Sequence, residues 1–270
     1  MRLLIRIALV LICVVMLFPF VFMLATALKS EAQLAQPGLL PEGAWHPENF
    51  GTAWNRAPFT HYLINSIIVA IGAGALSVLL GAMGGFALSK YRFTGRGLLL
   101  IVVLSTLMVP PQVKMIPNFL ICAQIGLLDT RLGLVLPMLP LGFGIFLMRQ
   151  FIRAIPDDLL AASRIDGAGE LRIFLRIVLP LCGPAAATLG IFTFMASWNE
   201  FLWPLIILDT PEKYTIPLGL MRFSQQFSVE QNLLMAVSFL SMLPTMILFL
   251  IFQRAFVQGM AGVSLHGGGG

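Results

Sequence analysis

Six stretches of this chain are each long and apolar enough to cross a lipid bilayer as a helix, which takes about 20 apolar residues. They are residues 3–28, 63–88, 98–125, 132–151, 177–208 and 233–256. Charged residues make up 11% of the chain and hydrophobic ones 58%, whereas soluble domains carry about 25% charged residues. The expected fold is therefore all-α, a polytopic membrane protein with six transmembrane helices. It forms one domain over residues 1–264, and a short tail, 265–270, ends in four glycines and stands outside that domain as a remnant. The net charge of +5 does not point to nucleic acid, because the basic residues are scattered between apolar runs. The lipid bilayer is the expected surrounding.

Local chemistry marks where these runs bend. Pro19 lies inside the first run and predicts a kink. That run also resembles a secretion signal, with Ala25-Thr26-Ala27 near its end. Its apolar part, residues 7–24, is longer than the 7–15 residues of a signal core, so a retained span is expected. Glycines at 72, 74, 81, 84 and 85 allow close helix contact in the second run. Pro110 and Pro111 remove backbone donors and predict a break or hinge in the third. The fifth run carries Pro180, Pro184 and Pro204 and is longer than a bilayer requires, so it is expected to tilt, kink or leave the lipid. Residues 29–61 and 209–232 read as loops outside the bilayer.

With both termini on one side, that side holds eleven of the 17 Lys and Arg, and the positive-inside rule makes it the cytoplasm. Cys13, Cys122 and Cys182 fall within apolar runs, and His46, His61 and His266 are isolated, so neither a disulfide framework nor a metal site is expected.

One internal stretch is unlike the rest. Residues 155–181 hold Asp157, Asp158, Arg164, Asp166, Glu170, Arg172 and Arg176, and topology places them in the cytoplasm. Pro156 suits a first helical turn, and Asp157 and Asp158 complement the positive end of a helix dipole. Gly167 offers the left-handed conformation that ends helices, and Glu170 begins a second helix leading to the next span. Small residues Ala161, Ala162 and Ser163 would admit a partner surface. An amphipathic helix lying on lipid headgroups fits the same residues.

The order Ala161-Ala162-Ser163-Arg164-Ile165-Asp166-Gly167-Ala168, followed by Phe174 and Ile177-Val178-Leu179-Pro180, resembles the EAA loop of bacterial ABC importer permeases. Asn65-Ser66, Gly95-Arg96, Met108-Val109-Pro110-Pro111-Gln112, Arg149-Gln150-Phe151, Ser197-Trp198-Asn199-Glu200-Phe201-Leu202-Trp203-Pro204 and Phe252-Gln253-Arg254 resemble its carbohydrate branch, typified by the smaller maltose permease subunit. The resemblance implies a non-catalytic permease subunit in the bacterial inner membrane, importing a sugar or sugar derivative. It further implies a second permease subunit, two cytoplasmic ATPase subunits that bind ATP and Mg, and an extracytoplasmic solute-binding protein. This chain has no Gly-x-x-x-x-Gly-Lys-Ser/Thr phosphate loop of its own. Residues 155–176 would be the coupling loop, a lever moved by the ATPases. The family's glutamate falls on Ala161 and its second alanine on Ser163, so docking would rest on shape, Asp166 and Arg164.

For the substrate path, Asn199 and Glu200 are polar groups within an apolar run, where ionisable residues are by default functional candidates. Trp198 and Trp203 beside them can stack on a sugar ring. Alternatively, Glu200 is wetted near the outer surface and Asn199 only ties helices together. The loop before the last span would meet the binding protein. Importers of peptides or amino acids are near relatives. A gradient-driven transporter would need paired charges in mid-span, and an intramembrane enzyme a nucleophile or metal constellation.

Overall fold

The computed structural model describes residues 2–227 and 230–265, without the side chains of residues 2, 3, 252 and 254–265. The glycine tail and His266 lie outside the described residues. Every regular element among the described residues is helical. Helix α1 (Arg2–Ala27) is followed by the short α2 (Glu31–Leu34) and α3 (Glu48–Arg56) and then by α4 (Phe59–Lys90). Next come α5 (Arg96–Ser105), α6 (Pro111–Gln124), α7 (Arg131–Val135) and α8 (Leu141–Arg153). The polar stretch contributes α9 (Asp157–Ile165) and α10 (Glu170–Ile173), which continues through a π-helical segment, Phe174–Val178, into α11 (Leu179–Leu181). Helices α12 (Gly183–Trp198), α13 (Leu202–Ile207), α14 (Ile216–Gln226) and α15 (Gln231–Leu265) complete the chain.

Three helical segments are long and apolar enough to cross a membrane unaided: Leu4–Ala27, Phe59–Lys90 and Gln231–Ile251. Three more qualify only as bent pairs. Arg96–Met108 and Pro111–Gln124 meet at 104°, Arg131–Met138 and Leu141–Arg153 at 56°, and Glu170–Leu181 and Gly183–Trp198 at 80°. Prolines stand at each bend: Pro110 and Pro111 at the first, Pro137 and Pro140 at the second, Pro180 and Pro184 at the third. The continuous helix expected over 132–151 is thus two helices. The run 177–208 breaks twice, at Cys182 and again over residues 199–201. Pro204 lies just after that second break, in the first turn of α13, where a missing backbone donor is tolerated.

The described residues divide into two compact units. One takes the chain up to Asn65 together with Tyr214–Ile247. In it, Asn49 Nδ2 donates to the carbonyls of Ala27 (2.8 Å) and Lys29 (2.9 Å), and Asn232 Nδ2 also donates to Lys29 (3.1 Å). These bonds satisfy carbonyls that the end of α1 leaves open. Phe59 packs against Trp54, Tyr62 and Phe223 with ring centroids 5.3–5.6 Å apart. The stretches expected as loops contain α2, α3 and α14. Ser30 and Gln33 form a reciprocal capping box at α2, and α14 opens with Pro217 in its first turn. The many prolines of 29–61 obscure the start signal of α2.

The other unit takes Ser66–Lys213 with the chain from Leu248 onward. Its core joins Ala82 and Phe86 of α4, Leu147, Met148 and Ile152 of α8, Leu160 of α9, and Ile173, Phe174 and Val178 beyond it. Glycines bring these helices together. A β-carbon at Gly74 would stand 3.2 Å from the Gly190 carbonyl, and one at Gly81 would stand 3.0 Å from the Gly144 backbone. At Gly85 it would stand 2.7 Å from the backbone nitrogen of Arg149.

Candidate functional site

The polar stretch folds as a helix, a glycine turn and a second helix. Helix α9 ends in a Schellman turn: the Gly167 N–H donates to the Arg164 carbonyl and the Ala168 N–H to the Ser163 carbonyl, both at 3.0 Å. Gly167 has φ +78°, which only glycine adopts without penalty. Leu160 anchors α9 in the core, whereas Ala161, Ala162, Arg164 and Asp166 lie exposed. Ile165 is 86% and Leu171 69% exposed, so the turn presents apolar as well as charged surface.

Lys90, the last residue of α4, and Tyr91 after it bind this stretch. Lys90 Nζ donates to Asp157 Oδ1 at 2.7 Å and to the Ile155 carbonyl. Arg164 grips Glu170 through both carboxylate oxygens, at 2.7 and 3.3 Å, and the Tyr91 hydroxyl donates to the same carboxylate. The Arg164 guanidinium, and then the Tyr91 hydroxyl, hold the Glu170 carboxyl below its ordinary range. Burial, reinforced by Glu170, pushes the Tyr91 hydroxyl up. Tyr91 also packs edge-on against Phe86, which lies beside Phe174. The exposed turn is therefore tied by a set of contacts to the end of α4 and to the segment that becomes α11.

The four residues suggested for the substrate path gather at the break between α12 and α13. Trp198 is 3% exposed and stacks on Phe194 with centroids 5.6 Å apart. Trp203 is 2% exposed and donates its indole N–H to the Gly133 carbonyl at 2.9 Å. Asn199 is exposed and its amide donates to the Met195 carbonyl at 2.8 Å. Glu200 Oε1 accepts the Trp203 backbone N–H at 3.1 Å, which caps the first turn of α13. Both indole rings are enclosed by this chain. Pro110 and Pro111 sit at the 104° bend.

A further constellation centres on Asp129, at φ +54° between α6 and α7. Its carboxylate accepts from the backbone N–H groups of Asp209 and Thr210 at 3.2 Å, from the Thr210 hydroxyl at 2.5 Å and from Lys213 Nζ at 2.7 Å. Its own N–H donates to the Ile207 carbonyl at 2.9 Å. Burial alone would raise this carboxyl; the donors from Lys213, Thr210 and Asp209 outweigh it and hold the group far below the ordinary carboxylate range. Asp129 thus pins the segment after α13 to the turn before α7. Among the described residues no group of three or more His, Cys, Asp or Glu could hold a metal ion.

The model of the family described as the binding-protein-dependent transport system inner membrane component matches residues 75–262. The chain belongs to this family. As an inner membrane component it is similar in sequence to the sn-glycerol-3-phosphate transport system permease protein UgpE of Shigella flexneri serotype 5b (strain 8401). That pair is 35% identical over 255 residues, covering 91% of each chain. It is also 34% identical over 251 residues to the diacetylchitobiose uptake system permease protein NgcG of Streptomyces coelicolor, covering 91% of this chain and 83% of that one. Its fold matches a chain of a bacterial ABC transporter that imports the acidic polysaccharide alginate. There the TM-score is 0.82 with 24% identity, over 94% of this chain and 96% of the other.

In this inner membrane component the concentration of charge, and then the family-like motifs, single out the polar stretch, but neither points to Tyr91 or Asp129. Tyr91 had a faint signal, as the one aromatic residue with a hydroxyl in the basic turn 90–96. Asp129 had none, because its partners lie about eighty residues away. Asp129→Asn keeps a residue that tolerates positive φ but turns an N–H towards Lys213. It is expected to destabilise the unit by about 1–2 kcal/mol, the range of charge-assisted bonds discounted for the half-exposed lysine, measured by thermal unfolding. A depressed folded-state carboxyl contributes stability that is full above its unfolded value, about 3.9, and is lost as pH falls below it. Wild type and variant should therefore differ by a constant amount from pH 5 to 8 and converge only in strong acid.

Proposed function

We propose that this chain is the permease subunit of an ATP-driven importer for a sugar or sugar derivative, which an extracytoplasmic solute-binding protein delivers. The family match over residues 75–262 carries the reading. The substrate class is supported by the relatives named for diacetylchitobiose and sn-glycerol-3-phosphate. Such a permease is non-catalytic, and ATP with Mg belongs to two separate ATPase subunits. A second, related permease subunit completes the translocation unit. In this reading the three unbroken helices and the three bent pairs are six spans with both termini in the cytoplasm, and residues 155–176 are the coupling loop.

Coupling would work mechanically. The exposed turn around Ala161 to Gly167 meets an ATPase, and the Arg164–Glu170–Tyr91 and Lys90–Asp157 contacts pass its displacement to α4 and α11. The bends at Pro110–Pro111 and Cys182 are where the bundle would switch between two arrangements that the ATPase biases. The break at Asn199–Glu200 is the candidate place where the path changes shape.

Reconstitution tests this directly. Liposomes holding the chain with its second permease and ATPases, supplied with loaded binding protein, should accumulate an oligosaccharide only when ATP is present on the ATPase side. Uptake by the chain alone, driven by an ion gradient without ATPase, would overturn the proposal.

A further inference from the structure

We propose that Arg96, Arg149 and Arg153 form a binding site for the phosphate of an anionic phospholipid. Arg96 opens α5 and Arg153 closes α8. The two helices pack on each other, with Gly142 of α8 against Thr106 and the Val103 carbonyl near the far end of α5. The start of α5 and the end of α8 therefore fall together, and Arg149 is close enough to feel repulsion from both Arg96 and Arg153.

Two of these guanidinium groups are held in place by the end of α4. Arg96 donates to the carbonyls of Tyr91 (3.2 Å) and Ser89 (3.4 Å), and Arg149 Nε donates to the Leu88 carbonyl (3.2 Å). A guanidinium has five N–H donors, so both keep donors beyond those used on α4. Arg153 is exposed and makes no hydrogen bond among the described residues. None of the three has a carboxylate partner among the described residues. Asp157 is held by Lys90 and Glu170 by Arg164. Three neighbouring cations, two of them with guanidinium groups held in place, match a phosphate, whose oxygens accept from forked donors and whose charge offsets their mutual repulsion.

The neighbouring surface selects a lipid over a free anion. Directly beyond Arg96, α5 exposes Leu98 (68%), Leu99 (46%), Ile101 (63%) and Val102 (50%). At 1.5 Å per residue this apolar strip begins within one turn of the arginines and extends roughly 9 Å away from them. A headgroup on the arginines thus places its acyl chains along α5, the geometry of an interfacial lipid whose phosphate attracts basic side chains.

The test is a lipid titration of the purified full-length chain by native mass spectrometry, with phosphatidylglycerol and phosphatidylcholine as probes. Wild type should retain phosphatidylglycerol in preference to phosphatidylcholine. Arg153→Gln, which breaks no internal contact, should weaken that retention about tenfold, the effect of losing one charge-assisted contact. Arg172→Gln, an equal charge change on α10, should leave it unchanged. Equal loss in both variants would reduce the effect to diffuse positive charge and overturn the site. So would displacement of the lipid by inorganic phosphate, which would make the ligand a free anion. Unchanged lipid retention in Arg153→Gln, with loss of ATPase co-purification, would assign the cluster to a protein partner instead.

Discussion

Gly85→Leu is expected to prevent the chain from accumulating as a folded membrane protein. Even a single β-carbon at this position would lie 2.7 Å from the backbone nitrogen of Arg149 and 3.1 Å from the Met148 carbonyl carbon. These are main-chain atoms of α8 and cannot move aside as a flexible side chain would. Met148 beneath them is fully buried in the core that joins α4, α8, α9 and α10. Overpacking a tight core costs about 1–3 kcal/mol for small additions, and a leucine adds four carbons to a contact with no room for one. The helices must separate, and inside lipid no hydrophobic force returns them, because helix association there depends on close packing. Fluorescence-detected gel filtration of a fusion to a fluorescent reporter should show loss of the monodisperse peak. Gly51→Leu, where a β-carbon meets nothing within 4 Å, should keep the peak. A normal profile for Gly85→Leu would mean that α4 and α8 do not approach as described.

Gly167→Val is expected to leave assembly intact and to lower transport about tenfold or more. A β-carbon here also meets nothing within 4 Å, so the cost comes from the backbone alone. At φ +78° an L-residue pays roughly 1–2 kcal/mol, and a β-branched one more. That is small against the 5–15 kcal/mol that holds a domain together, yet each 1.4 kcal/mol is tenfold in an equilibrium. The chain can escape the penalty only by reshaping the turn. Doing so shifts Arg164 against Glu170 and loosens the grip on Tyr91. With the partner ATPases present, uptake should fall while ATP hydrolysis continues. Gly167→Asn, which adopts positive φ more readily, should retain much of the activity. Transport by Gly167→Val at the wild-type rate would remove the lever role from the turn. The Glu170 contact itself is not a pH sensor at neutral pH. Its lowered carboxyl keeps the pair intact above about 4.3 and releases it only as pH falls further.

In residues 155–176 the local structure follows from neighbouring residues, whereas the long-range contacts do not. Pro156, the two aspartates and Gly167 act on their own few residues, so the helix, the turn and the second helix could be anticipated. Glu170 reads in the sequence as the start of a helix; in the fold it is also the partner of Arg164 and Tyr91, the latter 79 residues away. Trp198 and Trp203 looked like stacking platforms because their residue type allows it. In the fold both rings are enclosed, and the Trp203 indole N–H donates to the Gly133 carbonyl. Helices α3 and α14 are hidden by proline-rich or polar surroundings, and neither start carries a side-chain cap to announce it.

The sequence by itself determined the solvent, the helical class and the approximate places where helices stop. Each depends on properties of short segments: apolar length against bilayer thickness, missing proline donors and the permissive backbone of glycine. Only the tertiary structure decided the bends of 104°, 56° and 80°, the glycine contacts that set how closely helices pack, and the partners of Asp129, Glu170 and Trp203. Those depend on which helices meet, and a hydrogen bond across eighty residues leaves no mark in the residues on either side of it.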